Sequence, residues 1–173
     1  MLVNFVNIVG IADPSSFPVI TKANPHTQYN AQETVTIPAA KPDAEQIDSV
    51  LIEATITSAK VIITPVGLKT VIDGNLKQKV IYTANLPDQP LHSAEYIFPL
   101  CTFIEMPLII PPLGTVETVL LAAGLTLDNI LVGSPKVLIE DMTVELLDLR
   151  TINKCTVLFI WTTVNTALVP LLK

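Results

Sequence analysis

The chain has 173 residues and a formal net charge of -6, and its 18 Val, 19 Ile and 19 Thr make about a third of it β-branched, while charged residues reach only 15%. Such side chains are stiff at χ1 and pack well on a pleated surface, so the composition favours strands over helices. Mean hydropathy is +0.54, yet no apolar run approaches the roughly 18 residues of a membrane helix. The ten Lys and Arg are too scattered to form a basic patch for phosphate backbones. Neither a membrane span nor a nucleic-acid partner is expected.

In chain order, residues 2–11 read as a short strand, and 13–32, rich in Pro, Ser, Asn and Thr, as a linker without periodicity. Residues 1–32 are therefore expected to form an N-terminal arm on a tether, and 33–173 the folded domain. A short extended piece at 33–38 alternates Val35 and Ile37 with threonines. Residues 49–64 read as a long strand in which Val50, Ile52, Ala54 and Ile56 share a face. The phase slips near Ser58, which predicts a bulge. Pro65-Val66-Gly67 then predicts a hairpin turn.

The returning strand is the clearest, with Ile72, Leu76, Val80 and Tyr82 on one face and Asp73, Asn75, Lys77 and Lys79 on the other. Residues 92–106 continue as strand, and Pro99, which cannot donate to a ladder, places it at an edge or a bend. Residues 107–135 carry only two charges, Glu117 and Asp128. They read either as a strand pair inside the domain or as a surface covered by another subunit. Residues 136–149 form another strand, with Met142, Val144 and Leu146 on one face. Residues 155–164 are apolar on both faces, as for a central strand or an interface. No helical period stands out, so the expected fold is all-β, an antiparallel β-sandwich of roughly seven to nine strands with an extended N-terminal arm.

Chemistry is sparse. His26 is expected in solvent, and His92 and Ser93 point to opposite faces of a strand, which defeats a triad. Asp43, Glu45 and Asp48 lack the turn glycine of a calcium loop. Glycines are scattered singly, so no phosphate-cradling loop forms. Phe159 and Trp161 share a face and are expected as core packing rather than a sugar platform. Cys101 and Cys155 fit no metal or redox spacing and are expected as two packed thiols. No catalytic residue, cofactor or metal is assigned. The start of the chain has no positive n-region, so synthesis in a cytoplasm without a signal peptide is expected.

Several stretches resemble the SPOCS domain of spore coat assembly proteins from endospore-forming bacteria. The resemblance lies in IPAAKPDAEQ at 37–46, the TPVG turn at 64–67, Gly74-Asn75-Leu76, KVIYTA at 79–84, QPLHSA at 89–94 and FPLCTFI at 98–104, with a weaker echo in LLDLRTINKCTVLF at 146–159. Leu100 stands where the pattern would carry a second aromatic. The SPOCS-like core is thus 37–106. The resemblance implies a non-enzymatic role in building a spore layer, made in the mother-cell cytoplasm and located in the spore coat or on the outer spore surface. Larger relatives carry a peptidoglycan-binding LysM module. This sequence shows none, which shifts the expectation from adaptor toward building block.

The surplus of apolar residues and the arm point to self-assembly of a homo-oligomer or filament, because an extended arm can add to an open sheet edge of the next subunit. The candidate interface is Leu2, Val3, Phe5, Val6, Ile8 and Val9 of the arm, Leu158 and Ile160 of the last strand, and Val169 and Leu171 of the apolar tail at 167–172. The arm strand could instead belong to its own domain's sheet. Two other readings are a monomeric adaptor that binds another spore coat protein through 107–135 and, on fold analogy alone, a carbohydrate-binding module.

Overall fold

The computed structural model describes residues 6–173, and its strands are β1 (Asn7–Val9), β2 (His26–Thr36), β3 (Ala44–Thr64), β4 (Gly67–Ala84), β5 (Leu91–Pro107), β6 (Lys136–Leu146) and β7 (Thr151–Trp161), with one helix, α1 (Val116–Ala122). Two sheets, ordered β1-β3-β4-β5 and β2-β7-β6, pack face to face around one core. The fold is an all-β sandwich. Every named ladder is antiparallel except β1 on β3, which is parallel.

The long hairpin follows from alternation. In β4 the side chains from Leu68 to Ala84 alternate inward and outward without a break, and Ile72, Leu76, Val80 and Tyr82 lie in the core as expected. Pro65 and Val66 make the turn into β4, and the expected bulge in β3 is a register shift between Ile56 and Ser58. β5 is an edge strand, so the missing N–H of Pro99 costs it no ladder bond on the open side.

Three expectations are corrected. First, residues 107–135 do not form a strand pair inside the domain. Leu108 bridges to Leu172, α1 follows, and a 3-10 turn spans Leu127–Asn129. Thr115 caps α1 in a reciprocal pair with Thr118, and Val116, Val119 and Leu120 are buried. Their spacing of three and four is a helical stripe. Second, β2 begins at His26, so the stretch read as linker up to Gln32 already contains strand. Its alternation was hidden because polar side chains fill most positions, including the inward-facing Thr27 and Glu33.

Third, the N-terminal segment is not a free arm where it is described. Asn7, Ile8 and Val9 pair with Ser49, Val50 and Leu51 of their own domain. The Ala12 N–H then donates to the Ile139 carbonyl of β6, and Phe17 packs edge-on against Phe159 of β7. One strand of chain thus laces from the first sheet to the second across the open corner of the sandwich. Gly10, at φ +122°, is required at the crossing, where a Cβ would run into the Ile52 carbonyl oxygen.

Candidate functional site

The expected interface residues scatter rather than converge. Leu2, Val3 and Phe5 lie outside the described residues. Val6 and Ile8 pack against the core, while Val9 is exposed. Leu158 and Ile160 are fully buried and cannot form an interface, which corrects the expectation for them. β7 is the middle strand of its sheet, so one face meets the core, and the other is covered near its end by the chain's own Phe17 and by His26, stacked on Phe159. Phe159 and Trp161 are therefore dry and offer no platform for a sugar ring. Val169 and Leu171 are half-buried, and the tail is tied down by the Ile109 N–H on the Leu171 carbonyl and the Lys173 N–H on the Pro107 carbonyl.

The cysteines are thiols as expected but depart from expectation in their packing. Both are free, with Cys101 exposed and Cys155 half-buried, on the outward positions of different sheets. That separation rules out a bond within the sandwich. A hydrogen bond to Asp73, its cross-strand neighbour, holds the Cys101 thiol above its usual range, which suppresses the reactive thiolate.

The KPD stretch forms a clasp. Arg150, in the turn between β6 and β7, pairs through Nε with Asp43 at 2.5 Å and donates to the carbonyls of Ile37, Pro38 and Lys41. The Tyr82 hydroxyl donates to the Pro42 carbonyl, and Lys41 Nζ reaches the Ser93 carbonyl on β5. Asp148 accepts from the N–H groups of Arg150 and Thr151, which fixes the turn and holds its carboxyl below the usual range. Asp43 thus serves this ion pair. Among the described residues no group of three His, Cys, Asp or Glu side chains comes together as a metal site requires.

The most unusual chemistry lies between the sheets. Lys154 of β7 and Gln78 of β4 are both fully buried and point at one another, Lys154 Nζ donating to Gln78 Oε1. Glu33 on β2, opposite Lys154 in register, touches both. Its Oε2 is 3.6 Å from Lys154 Nζ and accepts from Gln78 Nε2 at 3.3 Å. The rings of Tyr96 and Phe98 on β5 lie 4.9 and 4.5 Å from the ammonium, and Thr156 accepts from the same Gln78 amide at 3.5 Å. Burial lowers the Lys154 pKa to about 8, against the opposing pull of Glu33. Sequence reading missed this cluster, because Lys154 and Gln78 were not singled out. The signal was available in phase: Lys154 follows Ile152 and precedes Leu158 at even spacing, as Gln78 sits between Leu76 and Val80.

An open apolar groove of about 550 Å³ runs between α1 and the tail, lined by Ile109, Val119, Ala122, Ala123, Pro170 and Leu171 among others. Leu113 and Leu121 are exposed on the same segment. No helix of the described residues is long and apolar enough to cross a membrane.

Residues 43–118, somewhat under half of the chain, match the family described as SipL, SPOCS domain. The match opens at Asp43 of the clasp, takes in the whole β3-β4-β5 hairpin sheet and ends inside α1. No curated protein and no solved structure matches the chain.

Proposed function

We propose that this chain, whose residues 43–118 match the SPOCS-domain family, is a sporulation-related, non-enzymatic structural protein that joins further copies of itself, through its sheet edge and arm, into a layer or filament of the spore coat or outer spore surface. The observation that carries this reading is the brevity of β1. Among the described residues three pair along the edge of a strand running from Ala44 to Thr64, and so short a ladder exchanges at little cost for the same ladder on a neighbour. Apolar surface adds to it: Val9 and Leu51, on the paired strands β1 and β3 at this edge, are both exposed, and covering such surface favours association.

Deletion of residues 1–12 tests the reading by size-exclusion chromatography with light scattering. The full chain is expected in large assemblies and the truncated chain as a folded monomer. Persistent assembly after truncation overturns the role of the arm. A full chain that stays at 18.7 kDa at every concentration overturns self-assembly altogether. That outcome favours a second reading, an adaptor that receives another coat protein in the groove beside α1, where exposed Leu121 adjoins the apolar lining.

A further inference from the structure

We propose that Lys154 and Gln78 join in an intramolecular amide bond that staples the two sheets together, with Glu33 moving the proton. In this step Lys154 Nζ attacks Cδ of Gln78, the new N–C bond forms, and the Cδ–Nε2 bond breaks. Glu33 takes a proton from the attacking nitrogen and delivers one to the leaving Nε2, which departs as ammonia. No electron changes hands and no co-reactant is consumed.

Each part of the arrangement serves that reaction. Nζ is in hydrogen-bond contact with the amide it would attack, and a fixed encounter of this kind replaces a slow bimolecular one. An amine is a nucleophile only when neutral, and desolvation moves Lys154 toward that form. The same Glu33 oxygen faces both the nitrogen that loses a proton and the nitrogen that needs one, as a shuttle requires. Tyr96 and Phe98 close the other side, which keeps competing water away from Gln78. Glu33 retains some exposure at its β2 position, giving the ammonia a way out.

The energetics point the same way. An ammonium in a dry core is costly even with a partner, and conversion to an amide removes that charge. The bond would link strands of different sheets across 76 positions of sequence, constraining the unfolded chain as a long-loop cross-link does. The inference is independent of the assembly reading, since it holds for a monomer as well as for a polymer.

Intact-mass spectrometry of the purified full chain tests it. The expected mass is lower than that of the sequence by one ammonia. Trypsin is expected to spare Lys154, leaving peptide 151–173 whole with Gln78-Lys79 attached through the new bond. K154M and Q78L are each expected at full sequence mass. E33Q, checked for folding by circular dichroism, is expected to link roughly 100-fold more slowly. A folded wild-type chain that keeps full mass after days at pH 9, with Lys154 cleaved normally, overturns the bond. A folded E33Q chain that links at the wild-type rate overturns the role of Glu33.

Discussion

β4 and β7 are each flanked by strands on both sides, yet they handle their outward faces differently. β4 alternates a dry face with a wet one, where Lys77 meets Glu95 across the sheet and Lys69 meets Glu105. β7 is dry on both faces toward its end, because the segment that precedes β2 returns over it and seats Phe17 on Phe159. Inward, the two strands share a departure from the apolar rule, with Gln78 and Lys154 meeting in the core. Two dry faces on a strand are therefore not by themselves a sign of a partner subunit, and a polar residue in the dry phase is the stronger pointer to chemistry.

The largest effect expected from this comparison concerns the inward meeting of the strands. The charged group facing Lys154 is Glu33, with Gln78 and the two aromatic rings on the other sides, and the net result is a pKa of about 8. Below that value the neutral amine falls about tenfold per unit of pH. Chain refolded from the unlinked state is thus expected to lose ammonia roughly 50-fold more slowly at pH 6 than at pH 8, with at most about a twofold further gain above. The time course of intact mass checks this, and a rate flat from pH 6 to 9 would show that neutral Lys154 is not the nucleophile.

Gly74 sharpens the comparison on the β4 side. It faces inward beside the bulge in β3, and an added Cβ would run into the Thr55 carbonyl oxygen. Backbone cannot give way as a side chain does, so Gly74→Ala is expected to destabilise by about 3 kcal/mol, read from urea unfolding. On the β7 side, Phe17→Ala uncovers Phe159. Phe17 is only half-buried, so the loss is about 1.5 kcal/mol, accompanied by greater exposure of Trp161, whose ring lies 5.8 Å from that of Phe159. Unchanged Trp161 fluorescence would mean that the strand owes its dryness to something else.

How much of this was legible in the sequence depended on how strictly polar and apolar residues alternate. β4 and β5 were readable because most inward positions are apolar or small; the outward face of β4 is largely polar, while that of β5 also carries Ile97 and Phe103. β2 was obscured because Thr27 and Glu33 face inward among polar neighbours. α1 was missed for a different reason: its two turns are too short for a visible period, and the threonines at 115 and 118 read as strand formers although they act here as a reciprocal cap. The interface residues were misjudged at Leu158 and Ile160 because alternation says which residues share a face, while only tertiary packing says what covers it. Lys154 and Gln78 stood in phase with the core in plain view, but two polar residues 76 positions apart give no local sign that they meet.

Thr70 supplies the smallest effect and separates polar residues that sit in the core with partners from those without. It occupies the same inward face of β4 as Gln78 and is fully buried, yet its hydroxyl has no hydrogen-bond partner among the described residues. Valine has nearly the same shape and no hydroxyl to desolvate, so Thr70→Val is expected to stabilise the fold by about 1 kcal/mol, seen as a higher urea midpoint at unchanged slope. The same logic applied to Gln78 predicts the opposite sign, because Q78L removes a group that Lys154, Glu33 and Thr156 all contact. If both substitutions stabilised alike, the polar cluster between the sheets would be a burden like Thr70 and not a built arrangement.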